Sequence, residues 1–174
     1  MRYNELTFQG RNAVLEAFRS GKTIDKLFIL DGCQDGPIKS IVREAKKTDA
    51  IINYVDKERL DRLAGTGHHQ GVVAIGAAYE YAEVEDILAA AKEKGEDPFI
   101  FILDEIEDPH NLGAIIRTAN LAGAHGVIIP KRRAVGLTAT VAKTSAGAIN
   151  YTPVAKVTNI SQTIEELKKQ GLWF

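Results

Sequence analysis

Several features that mark secreted, membrane and disulfide-bonded proteins are missing from this sequence. Its 174 residues include one cysteine, Cys33, so no disulfide can form within the chain, and a lone thiol fits a reducing compartment. No stretch approaches the roughly eighteen apolar residues of a membrane span. Residues 1–11 carry charges and lack an apolar run of signal-peptide length. We therefore expect a cytoplasmic protein without a membrane partner.

The short motifs that define several enzyme classes are also absent. The sequence contains no Gly-x-Gly-x-x-Gly, no Gly-x-x-x-x-Gly-Lys-Ser/Thr and no Gly-x-Ser-x-Gly, which argues against a generic nucleotide-binding α/β protein. His68 and His69 are adjacent, but no cysteine or spaced histidine nearby completes a ligand set. The four carboxylates within residues 104–108 suit a helix cap and a loop better than a cation site. We predict no metal site.

Charge is nearly balanced overall but unevenly distributed along the chain. The formal net charge of −1 gives no global case for nucleic acid, whose partners are usually basic. Residues 1–77 carry twelve basic and ten acidic groups, residues 78–97 two and seven, and residues 98–174 eight and six. We interpret 78–97 as an acidic connector containing one helix, between domains at 1–77 and 98–174. The alternative is that this helix packs as a layer of the second domain.

The first domain alternates between helical and strand patterns. Apolar residues recur at three- and four-residue spacing in three segments, and short apolar runs separate them. The runs predict strands at 26–30, 51–55 and 71–75. This alternation predicts a small three-layer α/β domain. We interpret Arg43, Lys46 and Lys47 as the solvated face of the second helix, a common role for cations near a helix end.

Residues 99–129 predict the order strand, loop, helix, strand. Asp108 suits the N-cap of the helix and Pro109 its first turn. An apolar stripe faces the sheet, and Arg117 falls outside that stripe. Gly113 shares an edge of the helix with Arg117, and a glycine there costs about 1 kcal/mol relative to alanine unless something must approach closely. A cation beside bare backbone suggests a site.

A basic loop follows the second strand of this half, at the sheet edge where ligands approach parallel strands. Lys131, Arg132 and Arg133 can meet phosphate there, although a basic loop tip often only keeps a protein soluble. Farther along, the pattern predicts a strand at 149–154 and the opening of another at Leu172.

The pattern Asn111-x-Gly113-x-x-x-Arg117-x-Ala119, set between two apolar strands, resembles the first motif of the SpoU family, the ribose 2′-O-methyltransferases of the knotted SPOUT class. Two other segments, Gly10–Glu16 and Lys143–Ala148, are similar to parts of that family's bacterial rRNA and tRNA enzymes. Two further family motifs, which supply most of the S-adenosyl-L-methionine pocket, do not occur in this sequence.

This resemblance implies a fold. It implies a small N-terminal α/β RNA-binding domain like those of ribosomal proteins, followed by a parallel-sheet SPOUT catalytic domain that stops before its C-terminal trefoil knot. The cofactor, S-adenosyl-L-methionine, is then expected to bind residues that follow Phe174. The resemblance also implies a homodimer.

The resemblance implies an activity as well: methylation of a ribose 2′-hydroxyl in structured RNA, with ribosomal RNA favoured over tRNA. Arg117 is the expected catalytic residue, with Asn111 orienting either Arg117 or the ribose. The resemblance also implies that Arg11 and the loop at His68 contact RNA, and the position of the basic loop at the sheet edge leads us to expect RNA contact by Lys131, Arg132 and Arg133. The alternatives are a tRNA ribose methyltransferase and a non-enzymatic RNA-binding protein of the same architecture.

Overall fold

The computed structural model describes residues 6–174 and divides them into two compact units, 6–78 and 79–174. The first five residues, which belong to the predicted first domain, lie outside the described part. Within residues 6–174, every helix is too short or too polar to span a bilayer.

The first unit contains a four-stranded mixed sheet with the strand order β1-β4-β2-β3. β2 and β3 run parallel, whereas β4 is antiparallel to both β1 and β2. The elements in chain order are β1 (Leu6–Gln9), α1 (Arg11–Arg19), β2 (Ile24–Leu30), α2 (Gly36–Ala45), β3 (Ile51–Val55), α3 (Lys57–Ala64) and β4 (Val72–Gly76). The predicted helices and strands of this half are therefore confirmed, with shifts of one or two residues at their ends.

Helices cover both faces of this sheet. On one face, α1 and α2 bury an apolar stripe that includes Val14 and Ile41 against Leu27 of β2. On the other face, α3 packs Leu60 against Phe28 and Val73. The predicted three-layer α/β arrangement is confirmed. It places α2 and α3 on opposite faces of one sheet.

The second unit contains a three-stranded parallel sheet with the order β5-β6-β7. Its elements are α4 (Val84–Lys94), β5 (Ile100–Ile102), α5 (Pro109–Leu121), β6 (Gly126–Pro130), α6 (Ala139–Thr144), a 3-10 turn (Ala148–Asn150), β7 (Val154–Val157) and α7 (Ile160–Lys169). Because the strands are parallel, the loops that follow β5 and β6 leave the sheet at the same edge.

Two cores hold the second unit together. Leu112 and Ile116 of α5 pack with Val141 of α6 on one face of the sheet. On the other face, Ile87 of α4 packs with Ile128 and Leu167, both fully buried. The helix of the acidic segment is thus a layer of the second unit, which is the alternative stated above.

Two predicted strands of this half are wrong. The strand predicted at 149–154 is replaced by the 3-10 turn, and β7 begins only at Val154. Pro153 explains the shift, because it has no N–H for a ladder, while its carbonyl accepts a bond from Val127 N at 2.9 Å where the pairing starts. Residues 172–174 form no strand, and Leu172 packs against the α4 and α7 core instead.

Candidate active site

The site expected from the sequence lies on α5, whose start is fixed by its own loop. Asp108 accepts a hydrogen bond from His110 N at 2.8 Å, and Pro109 occupies the first turn. Both residues suit that end, since the free amides of a first turn need acceptors and proline has no amide to satisfy. The predicted cap is confirmed. It starts α5 at the sheet edge where β5 ends.

Arg117 lies on the solvent side of α5. Its side chain is exposed, and it makes no hydrogen bond or ion pair with any residue between 6 and 174. Leu112, Ile116 and Ala119 supply the buried stripe of the helix, so Arg117 is not needed to hold α5 on the sheet. An unpaired guanidinium on a helix can donate two parallel hydrogen bonds to one phosphate or carboxylate group.

Gly113 is closed off by a neighbouring helix. A Cβ atom at this position would lie 1.9 Å from Thr144 Oγ1 and 3.0 Å from Ser145 N. Thr144 also donates a hydrogen bond to the carbonyl of Pro109 at 3.3 Å. The expectation that something approaches the backbone closely is correct, but α6 fills the space. The contact joins the two segments 111–119 and 143–148, both of which resemble the SpoU family.

Asn111 and Arg117 do not form one cluster. Six residues of α-helix separate them by roughly 9 Å along the axis and roughly 120° around it. Asn111 is exposed, and within residues 6–174 its side chain has no hydrogen-bond partner. The idea that Asn111 orients Arg117 directly is therefore not supported by this geometry. A shared ligand would have to reach around the helix to touch both.

The three cations of the basic loop have different surroundings. Arg133 Nη1 contacts Glu105 Oε1 at 2.8 Å, and Val135 N donates to Ile106 O at 2.9 Å, so the loop is tied to the one that follows β5. Lys131 is half-buried, whereas Arg132 is exposed with no partner among the described residues. Of the three cations, Arg132 is therefore the freest to meet phosphate.

The basic loop and Arg117 lie at different positions along α5. α5 begins at Pro109 beside the loops, and Arg117 follows it by eight residues, or roughly 12 Å of helix. Asn111 is the motif residue near the edge. The basic loop and Arg117 could therefore contact different parts of one extended ligand.

Arg11 has a role within the first unit. Its Nε donates to Gln70 O at 3.2 Å, its backbone N donates to Gln70 Oε1 at 3.1 Å, and its Nη2 pairs with Asp35. These contacts tie the start of α1 to the 66–71 loop and to the N-cap of α2. The RNA contact expected of Arg11 stays a prediction, and it would compete with Asp35.

The two histidines of the 66–71 loop also differ. His69 is buried, with Nδ1 accepting from Gly71 N at 3.0 Å and Nε2 lying 2.9 Å from Asp61 Oδ1. His68 is exposed. His69 therefore acts as a structural link, and only His68 faces solvent.

Sequence comparisons bear on both units. A family model described as the substrate-binding domain of RNA 2′-O ribose methyltransferases matches residues 9–82, and that of the SpoU rRNA methylase family matches residues 98–174. YacO of Bacillus subtilis, named for the TrmH family of tRNA/rRNA methyltransferases, is 54% identical over 94% of this chain and 66% of its own. A Staphylococcus haemolyticus protein named for the same family is 48% identical over 97% of this chain and 68% of its own. The chain belongs to the SpoU/TrmH family.

Solved structures match this chain more loosely. The AdoMet-bound rRNA methyltransferase of Sinorhizobium meliloti is 23% identical over 93% of this chain and 58% of its own, with a TM-score of 0.43. The membership of this chain in the SpoU/TrmH family therefore rests on the sequence relatives. The chain spans about two thirds of the length of the curated relatives it matches, 66% of YacO and 68% of the S. haemolyticus protein.

Proposed function

We propose that this SpoU/TrmH chain methylates a ribose 2′-hydroxyl of structured RNA, with ribosomal RNA as the favoured target, using S-adenosyl-L-methionine as the methyl donor. The observation that carries the proposal is Arg117: it lies in the family-like motif, it is exposed and unpaired among residues 6–174, and the fold does not need it. The match of residues 9–82 to a substrate-binding model supports RNA as the substrate.

Arg117 has a defined task in this reaction. A ribose hydroxyl is a poor nucleophile at neutral pH, so the site must orient it and stabilise the negative charge that develops as its proton leaves. A guanidinium stays protonated in proteins and therefore cannot serve as the base. Arg117 instead clamps the adjacent phosphate and lowers the energy of the developing alkoxide, while that phosphate or a water molecule accepts the proton.

Two features of α5 offer no open backbone to the methyl donor. The bare backbone of Gly113, where a ligand could have approached the helix, is filled by Thr144 of α6. The N-terminal end of α5 is likewise satisfied by Asp108. No residue between 6 and 174 is therefore assigned to S-adenosyl-L-methionine, whose methyl group would have to reach the ribose oxygen beside Arg117.

A homodimer belongs to the same proposal. Leu121 and Tyr151 are 81% and 80% exposed, and exposed apolar side chains that lie together mark interaction surfaces. Thr152 donates a hydrogen bond to Asn120 Oδ1 at 3.1 Å, so the segments that carry both side chains are joined. Leu121 follows Arg117 by one helical turn. An apolar surface beside Arg117 would be covered if two copies paired there.

The test uses the polypeptide encoded by the complete reading frame. Radiolabelled methyl transfer is measured from S-adenosyl-L-methionine to ribosomal RNA and to tRNA, both prepared from a strain that lacks the gene so that the target nucleotide is unmethylated. We expect label in ribosomal RNA. Label in tRNA alone would favour the tRNA alternative, and RNA binding without any transfer would make this a non-enzymatic RNA-binding protein.

A further inference from the structure

The first unit contains a groove whose lining residues suggest a binding site. It lies between α2 and the edge strand β3, has a volume of about 450 Å³ and is lined in part by Lys39, Arg43, Lys46 and Tyr54. Sites for small ligands typically enclose about 300 to 1,000 Å³. The groove is therefore large enough to hold a group the size of a small ligand, such as one nucleotide of a longer chain. We call it the α2–β3 groove.

The three cations share one side of α2. They are spaced four and three residues apart, so they form a single ridge along the helix. Lys39 and Lys46 have no ion-pair or hydrogen-bond partner among residues 6–174, and Arg43 reaches Glu44 only at 4.0 Å. Among residues 6–174, the lining contains no carboxylate. Within this described part, the ridge is therefore a row of positive charge in which only Arg43 comes near a carboxylate.

Glu44 is the acidic residue nearest in sequence to this ridge, and it is engaged elsewhere. Lys47 Nζ lies 3.0 and 2.9 Å from its two carboxylate oxygens. This hydrogen bond lowers the pKa of Glu44 below its ordinary value. Glu44 and Lys47 thus form a pair of their own, and the three cations of the ridge can face a ligand.

Tyr54 stands on the same face of the sheet as α2. In the β2–β3 register it pairs with Ile29, which is buried in the core under α1 and α2, and paired residues point to the same side. Because β3 is an edge strand, no further strand shields the ring, and 56% of Tyr54 is exposed. An aromatic ring is thus held beside a row of cations.

We propose that the α2–β3 groove binds a single-stranded segment of the RNA substrate, with a base stacked on Tyr54 and successive phosphates on Lys39, Arg43 and Lys46. Cations that follow the backbone and a ring that stacks a base are the two elements that single-strand sites combine. This inference rests on the proposed function in taking RNA as the substrate. It assigns part of that RNA to a surface distant in sequence from Arg117.

The test measures binding of fluorescent single-stranded oligouridylate RNA to the 174-residue chain by anisotropy at several salt concentrations. For Lys39→Ala/Lys46→Ala, the negative slope of log K against log salt should become shallower by about 1.4, because each phosphate contact on a single strand contributes about 0.7. The matched control, Lys57→Ala/Arg59→Ala, removes two exposed charges from α3 on the opposite face of the same sheet. That control should leave the slope nearly unchanged.

Tyr54 supplies the second readout. Tyr54→Thr keeps a β-favouring residue but removes the ring, and it should weaken binding roughly five-fold to a hundred-fold if one base stacks there. Tyr54→Phe keeps the ring and should bind like the parent. Circular dichroism checks that each variant is folded.

Three results would overturn the inference. They are equal slopes in the α2 and α3 double variants, full affinity in a folded Tyr54→Thr, and displacement of the RNA by polyglutamate of equal charge as effectively as by unlabelled RNA. The last would mark the groove as a site for acidic peptides. None of these results depends on methyl transfer, so they are separate from a failure of the proposed function.

Discussion

Arg117 and Arg133 differ in how readily their guanidinium groups can bind a phosphate. Both are exposed arginines in the second unit, but Arg133 contacts Glu105 at 2.8 Å, and Arg117 has no partner among residues 6–174. Exposed ion pairs are worth about 0 to 1 kcal/mol, so the Glu105 pair stabilises the fold little. It does, however, give Arg133 a competitor for any phosphate.

The basic loop gives the first prediction. Arg132→Ala should weaken RNA binding and reduce its salt slope by about 0.7 to 0.9, the share of one phosphate contact. Arg133→Ala is the matched control, and its effect should be smaller because binding RNA requires Arg133 to leave Glu105. Salt titrations of both variants measure this difference. An unchanged slope for Arg132→Ala would identify the loop as a solvated tip.

Gly113 gives the second prediction. Gly113→Ala should lower the free energy of unfolding by about 1 to 3 kcal/mol, because the added methyl group overlaps Thr144 and the cost of overpacking exceeds the gain in helix propensity. The control is Gly36→Ala, since Gly36 lies in the first turn of α2 and a Cβ added there would meet no atom within 4 Å. Urea unfolding should show the control unchanged or stabilised. Equal stability of both variants would disprove the close α5–α6 contact.

At the scale of elements, apolar periodicity located most of the predicted helices and strands, and Asp108 located the start of α5. The structure shows side-chain caps at Asp35, Asp56 and Asn159, and each of their helices starts at the next residue. The sequence could not reveal the contact between α5 and α6, since Thr144 lies more than thirty residues beyond Gly113. For the same reason Gly113 suggested an approaching ligand. The sequence also did not predict the 3-10 turn at Ala148–Asn150. Its buried residues, Ala148 and Ile149, pack against α5, which is a long-range contact that a local apolar pattern cannot show.

His125 links two strands, a role that the sequence did not predict, and it gives the third prediction. Its Nδ1 accepts a bond from Phe99 N at 3.1 Å, and its Nε2 lies 3.0 Å from Glu96, so it joins the starts of β5 and β6. His125→Ala leaves the Phe99 amide without an acceptor and should cost about 1 to 3 kcal/mol. The exposed His110→Ala should change the unfolding free energy by less than about 0.5 kcal/mol. Urea unfolding of both variants decides the matter, and similar midpoints would count against the link.

At the scale of the whole molecule, composition and charge bounded the class of protein, but the details of the sites came from the packing. Two family models match residues 9–82 and 98–174, and the described residues form compact units at 6–78 and 79–174. The spacing on α2 was visible in the sequence, yet its cations were interpreted as a solvated face. The register of β3 puts Tyr54 on the face of the sheet that α2 covers, and Tyr54 lines the same groove as these cations.

The fourth prediction concerns assembly. In the polypeptide of the complete reading frame, Leu121→Ser should shift the sedimentation coefficient at micromolar concentration from dimer to monomer, because it removes apolar surface beside Arg117. Trp173→Ser is the matched control: Trp173 is 98% exposed and follows α7, whose core is on the other face of the sheet. A monomeric parent protein that is active would contradict the proposed homodimer.

The central claim is that Arg117 supports methyl transfer to a ribose oxygen. The most direct measurement is the initial rate at which 2′-O-methyl nucleosides form in ribosomal RNA, comparing the complete protein with Arg117→Ala and Arg117→Lys. We expect 2′-O-methyl nucleosides from the parent and a loss of most activity in both variants, because lysine lacks the planar fork that clamps a phosphate. Unchanged circular dichroism should show that the variants are folded. Methyl groups on bases, or a near-normal rate for Arg117→Ala, would contradict the account.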